Sequence, residues 1–178
     1  MLETKDLILK QAEFNDWKSI YENLWCHDES AKYMLWNPTT SEEDAKIRME
    51  KTIAYQETHP YVYLVYEKKS GEAIGFAGMT AIAENVYEDT GVAIGPAFVR
   101  KGYGKQILMA LIHQAFDELG AEKFVASCRS QNVASRQLQL SCGFTYSHSE
   151  NRVDPRNGTD YVLEFYELMP CIESNVNF

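Results

Sequence analysis

No C-x-x-C pair, no H-x-x-x-H spacing and no long apolar run occurs in this chain. Its four cysteines, Cys26, Cys128, Cys142 and Cys171, are widely scattered, which argues against a zinc knuckle or a disulfide framework and leaves free buried thiols as the expectation. His27, His59, His113 and His148 also lack ligand spacing, so no metal is expected. The apolar runs fall far short of the roughly 20 residues that span a bilayer. Met1-Leu2-Glu3-Thr4-Lys5-Asp6 lacks the apolar core of a signal peptide, so the expectation is a cytoplasmic protein with no membrane partner. Positive charge is scarce too: 17 Lys and Arg stand against 26 Asp and Glu, for a formal charge of -9. Phosphate backbones are held mainly by clustered Lys and Arg, so no nucleic-acid partner is expected. The acidity is compatible with a cationic substrate, although a negative surface commonly serves solubility alone.

What is present suits one domain: a chain of 178 residues with 45% apolar content fills a single core. Nothing in the pattern excludes a homodimer. Leu7-Ile8-Leu9 begins a strand, and Trp17, Ile20, Tyr21, Leu24 and Trp25 mark one apolar face of a helix over residues 15 to 25. Thr40-Ser41-Glu42-Glu43-Asp44 carries capping-box patterns ahead of a second helix with Ala45, Met49 and Ile53. Between the helices lies the aromatic loop Tyr33-Met34-Leu35-Trp36. Strands follow at Tyr61 to Glu67, Ala73 to Ala83 and Tyr87 to Ile94, until Gly95-Pro96 stops the pairing. Residues 103 to 119 form a wide apolar stripe closed by Gly120. A strand at Lys123 to Cys128, a short helix at Ala134 to Ser141 and strands at Phe144 to His148 and Tyr161 to Leu168 complete the order βααβββαβαββ, an α+β pattern.

The stretch from Gly91 to Lys105 reads as a strand, a short turn and a glycine-rich entry into the long helix. Such an entry builds an anion cradle from backbone N–H groups. A Rossmann fingerprint would need a third glycine where Ile107 stands, and a P-loop would need Ser or Thr where Gln106 stands, so neither fits. Val99-Arg100-Lys101-Gly102-Tyr103-Gly104 instead resembles the acetyl-CoA pyrophosphate loop of the GNAT superfamily of N-acetyltransferases, [Gln/Arg]-x-x-Gly-x-[Gly/Ala], with Val99 departing at the first position. A glycine-rich turn without a ligand is the bland alternative. Further on, Asn132-x-x-Ser135-x-x-Leu138 ending in Gly143-Phe144 resembles the later signature of the same family. Two motifs in the right order are far more specific than either alone. The opening Leu2 to Leu9 also looks like the branch that includes the ribosomal-protein N-terminal acetyltransferases.

The resemblance implies a GNAT-like mixed, mostly antiparallel sheet flanked by helices and splayed between its fourth and fifth strands. It implies acetyl-CoA in that gap, with pantetheine amides paired to main-chain groups of Val92, Ala93 and Ile94. The phosphates would lie on Val99, Arg100, Lys101, Gly102, Tyr103, Gly104 and Lys105, with Asn132 and Ser135 on the other wall. The partner would be an amine acceptor, either a small molecule or a protein N-terminus.

Attack on a thioester needs a neutral amine. A lysine-type amine, with a pKa of about 10.4, therefore needs a general base more than an α-amine near 7.7–8.0. Asp89 and Glu88 precede the strand, and adjacent strand residues face opposite sides, so only one of the two can serve. Alignment of Thr90-Gly91 with the family's apolar-Gly pair favours Asp89, with Glu88 as the alternative; both are otherwise solvated turn acids. Many relatives place a tyrosine acid where Gln139 stands, which leaves Ser135 as the acid or sulfur donor, or simply as a helix cap. Tyr33 and Trp36 are candidate walls of the acceptor pocket, whereas Trp17 and Trp25 read as core. A non-catalytic acyl-CoA sensor is the rival reading, motivated by Gln139 and the open choice of base.

Overall fold

The computed structural model describes residues 1–170. Its strands are β1 (Leu2–Glu3), β2 (Leu7–Lys10), β3 (Val62–Glu67), β4 (Ala73–Ala83), β5 (Val86–Asp89), β6 (Ala93–Ile94), β7 (Lys123–Arg129), β8 (Thr145–Val153) and β9 (Asp160–Leu168). They form one sheet in the order β1-β2-β3-β4-β5-β7-β9-β8, with β6 paired to β4. Every pairing is antiparallel except β5 with β7. The helices are α1 (Trp17–Ile20), α2 (Asp28–Ala31), α3 (Glu42–Thr58), α4 (Tyr103–His113) and α5 (Val133–Ser141). α1 and α4 continue as wider π-helical turns over Tyr21–Trp25 and Gln114–Glu118.

Both faces of the central strands are buried, and alternation along β3 shows how. Tyr63 and Val65 join Leu7, Leu9, Ile74 and Met79 beneath Ile107, Leu108 and Leu111 of α4. Leu64 and Tyr66 face the other way, against Ile20, Leu24 and Trp25 and against Ala45 and Met49 of α3. Ser41 caps α3 by accepting from the Asp44 N–H at 3.1 Å, as the capping pattern predicts. Gly120, with φ +66°, ends the α4 region as expected.

The expected α+β architecture is present, with local differences. The two-residue β1 and the single turn of α2 are additional, because both are too short for a periodic pattern. The strand expected at residues 87 to 94 is two pieces, and the strand expected to end at His148 runs to Val153. Gln106, which rules out the P-loop, ties α4 to the β1–β2 turn: its Oε1 accepts from Thr4 Oγ1 at 2.8 Å and the Asp6 N–H at 3.0 Å, and its Nε2 donates to Asp6 Oδ2 at 2.7 Å. Cys128 is buried as expected and Cys142 is half-buried, but Cys26 at the end of the first helical segment is exposed. Cys171 lies outside the described residues.

Candidate active site

The site begins where β5 and β7 part. Their parallel register runs Val86↔Lys123, Tyr87↔Phe124 and Glu88↔Val125, and stops there. On the other side, Asp89 pairs with Met79 and Ala93 with Phe76 of β4. Thr90, Gly91 and Val92 therefore oppose only Ala77 and Gly78, which makes a β-bulge, with Gly91 at φ +92°. The edge from the bulge to Ile94 faces away from β4 and has no strand ladder. Its main-chain groups can accept an extended ligand as an added strand.

Asp89 sits at the apex of this gap. Its Oδ1 accepts from the Ser127 N–H of β7 at 3.3 Å. Burial pushes its carboxyl up to about 7, and the N–H groups of Ser127 and Gly91 only partly counter that rise. Glu88 stands in register with Thr80 on the opposite face of the strand. Its carboxyl is also raised by burial, with Arg152 acting in the other direction.

The expected phosphate loop lies at the N-terminus of α4. Arg100 (φ +63°) and Gly102 (φ +79°, the N-cap) both take left-handed backbone, which turns the chain sharply into the helix. A Cβ on Gly104 would lie 3.1 Å from Leu138 Cδ2 of α5, close enough that the leucine side chain would have to give way. Val99, Arg100 and Lys105 are exposed. The side chains of Tyr103 and Lys101 have inward roles: the Tyr103 hydroxyl donates to Glu67 Oε1 at 2.7 Å, and Lys101 Nζ lies 3.4 Å from the same oxygen. The first N–H groups of the helix remain available to an anion.

Across the gap, Asn132 caps α5 by accepting from the Ser135 N–H at 3.2 Å. Gln139 is buried. Its Nε2 donates to the Ser127 carbonyl at 3.3 Å and to Ser135 Oγ at 3.4 Å, while its Oε1 has no partner. This glutamine thus braces the strand that holds Asp89.

The other face of the sheet carries a cavity of about 310 Å³ between α3 and β3–β5. Arg48, Lys51, Thr52 and Tyr55 line it from one face of α3, together with Trp25, Phe76 and Thr90, the residue after Asp89. Trp36 does not line the cavity directly. It stacks on the Arg48 guanidinium at 4.4 Å, and Trp25 stacks on the same group at 4.6 Å. The Tyr33 hydroxyl donates to the Gln131 carbonyl at 3.3 Å, which ties the aromatic loop to the β7–α5 connection. The loop between β8 and β9 holds the aromatic loop from outside: Arg156 Nη1 donates to the carbonyls of Ala31 and Trp36, both at 3.0 Å. Sequence reasoning missed the α3 residues. Their only signal was polar side chains at i, i+3, i+4 and i+7 beside the apolar stripe of that helix.

This open sheet, with its bulge and glycine-led helix, has counterparts among known proteins. Residues 6–145 match the acetyltransferase (GNAT) domain, and the chain belongs to the GNAT acetyltransferase family. It is an acetyl-CoA-dependent acyltransferase. It is 28% identical over 172 residues to the uncharacterized N-acetyltransferase YoaA of Bacillus subtilis, covering 95% of this chain and 96% of that one. The structure of yncA from Salmonella typhimurium with its cofactor acetyl-CoA is 25% identical, with a TM-score of 0.68, covering 93% of this chain and 94% of that one. The fold is also shared with the ribosomal L7/L12 alpha-N-protein acetyltransferase RimL in complex with coenzyme A, at a TM-score of 0.77 and 21% identity, covering 93% of this chain and 95% of that one. Among the described residues no cluster of three metal-ligating side chains occurs, and no helix is long and apolar enough to cross a membrane.

Proposed function

We propose that the protein transfers an acetyl group to a primary amine by direct attack within a ternary complex, with Asp89 as the general base. The acceptor is a small amine or a protein N-terminus. The observation that carries this reading is the Asp89 carboxyl, raised to about 7 at the apex of the gap. A base with a pKa near the operating pH combines the correct protonation state with useful driving force. An ordinary aspartate near 3.8 would be too weak to relieve a lysine-type amine of its proton.

The residues on both sides of the gap fit acetyl-CoA. The unpaired edge at Val92, Ala93 and Ile94 suits the pantetheine amides, and the Val92 N–H at the bulge can polarise the thioester carbonyl as negative charge develops on its oxygen. The loop from Val99 to Lys105 offers helix N-terminal donors, with the exposed Arg100 and Lys105 adding charge for the phosphates. Asn132 and Ser135 bound the far wall. The amine nitrogen attacks the carbonyl carbon as Asp89 takes its proton, and the thiolate departs with a pKa of about 8.5, which makes protonation helpful rather than obligatory. Gln139 has no acidic proton to give. Ser135 Oγ accepts from it at 3.4 Å, which leaves the serine proton free to be offered to the departing sulfur.

Release of free thiol from acetyl-CoA across an amine panel tests the reading, with turnover expected for at least one acceptor. Stabilisation by acetyl-CoA without thiol release from any amine would instead favour the sensor, which the missing acid at Gln139 supports.

A further inference from the structure

The cavity beside Thr90, on the face of the sheet opposite the Asp89 side chain, is cationic in a chain whose formal charge is -9. Arg48 and Lys51 both line it, and no aspartate or glutamate does. Among the described residues neither forms a salt bridge.

Arg48 is built into place. Its guanidinium lies between the rings of Trp25 and Trp36, and Nη1 donates to Thr39 Oγ1 at 3.0 Å. The threonine is itself buried. A guanidinium has five N–H donors, so most of them remain unspent. Its burial lowers the pKa to about 10, the signature of a desolvated cation without a carboxylate to offset the cost. Two neighbours repeat the pattern. Gln56 is buried and lines the cavity; its Oε1 accepts from the Ala12 N–H at 2.7 Å, but its Nε2 has no partner. Thr90 Oγ1, next to Asp89, is likewise buried and unpartnered. A guanidinium and an ammonium thus line one space, with an unpartnered amide NH2 and an unpartnered hydroxyl buried in its walls, and the first three can only donate. What they lack is an anionic oxygen.

We propose that this cavity binds the carboxylate of a small, amino acid-type acceptor, with Arg48 and Lys51 holding the carboxylate and the amine directed toward the gap at Thr90. The proposal rests on the N-acetyltransferase reading for the fate of the amine, but the anion site stands on its own geometry. Arg presents a planar fork that matches a carboxylate bidentately, and stacking between two rings fixes its plane in advance. A space of about 310 Å³ is at the small end of ligand pockets, which favours a small molecule over a protein segment. The weak inference of a cationic acceptor from overall charge is reversed, because the local field at the cavity is positive while the surface as a whole is negative.

The test is a titration of the full chain with the twenty free L-amino acids and their carboxamides, followed by calorimetry and, with acetyl-CoA present, by thiol release. At least one amino acid is expected to bind and to turn over with kcat/KM at least about tenfold above its amide. Arg48→Met should erase that preference by raising KM, and Lys51→Met, at an exposed position less critical to folding, should reduce it. Circular dichroism reports whether each variant folds. Binding of an amino acid without thiol release would uphold the anion site and sink the acetyltransferase reading. Equal handling of acids and amides, no binding at millimolar concentration, or turnover only of acidic peptide N-termini would each overturn the proposal.

Discussion

Asp89 and Ser127 are joined across the parting of β5 and β7, with the Ser127 N–H donating to Asp89 Oδ1 at 3.3 Å. The same contact holds the fifth-position strand at the apex and orients the carboxyl in its desolvated setting. Because Gln139 Nε2 bonds the Ser127 carbonyl, both sides of that residue are committed to the site.

Asp89→Asn keeps an oxygen for the Ser127 N–H but removes the base. The expected result is a loss of roughly 10²–10⁴-fold in kcat with a lysine-type acceptor, and a smaller loss with an α-amine. In the wild-type protein, kcat/KM should rise with pH through about 7 as the carboxyl deprotonates, and the variant should lose that limb. Glu88→Gln should keep most of the activity; the reverse ranking in a stopped-time thiol assay would transfer the role to Glu88.

The same substitution should stabilise the fold. Asp89 ionises near 3.8 when unfolded and near 7 when folded, so the folded state binds more protons in between. Stability from this group therefore falls as pH rises from about 4 to about 7. Asp89→Asn is expected to be more stable than wild type at pH 8, by on the order of 1–3 kcal/mol, with the gain absent at pH 3. Denaturant melts at the two pH values check the sign.

Gly104→Val would place a Cβ 3.1 Å from Leu138 Cδ2, and its two further methyl groups would crowd the contact of α4 with α5 at the mouth of the phosphate loop. A loss of about 1–3 kcal/mol in stability is expected. Acetyl-CoA at 100 times its Kd should stabilise the wild-type protein by about 2.7 kcal/mol. The variant should show little or none of that gain in thermal unfolding.

Asp154 is buried, and its carboxylate is held well below the usual range by hydrogen bonds from Arg156 and Arg129. Its folded value lies below its unfolded one, so its contribution is complete above about pH 4 and fades as pH falls below that. Asp154→Ala should lower the thermal midpoint at pH 7. It should also release Arg156 from the Ala31 and Trp36 carbonyls, raising KM for the acceptor more than KM for acetyl-CoA.

The glycine turn and the helix it opens were legible because their determinants are local. Gly102, Gly104 and the stripe of α4 are contiguous. The bulge was not visible, since Thr90-Gly91-Val92 reads as uninterrupted strand and the extra residue emerges only when β4 is counted against it. Arg48 was missed for a different reason. On α3 it looks like one more polar residue beside Ala45 and Met49, and only the tertiary approach of Trp25 and Trp36 encloses it. Cys26 shows the converse: a scattered, unpaired cysteine was expected to be buried, yet it lies exposed at the C-cap of the turn over Tyr21–Trp25.

The clasp between Arg156 and the carbonyls of Ala31 and Trp36 spans 125 and 120 residues. During synthesis the chain emerges from its N-terminus, so the long helix and the glycine turn are out of the ribosome while the clasp is still unmade. Trp36 then lacks the tether that supports it over Arg48. The glycine turn can therefore fold before Arg156 is available, and the aromatic loop gains its tether only afterwards.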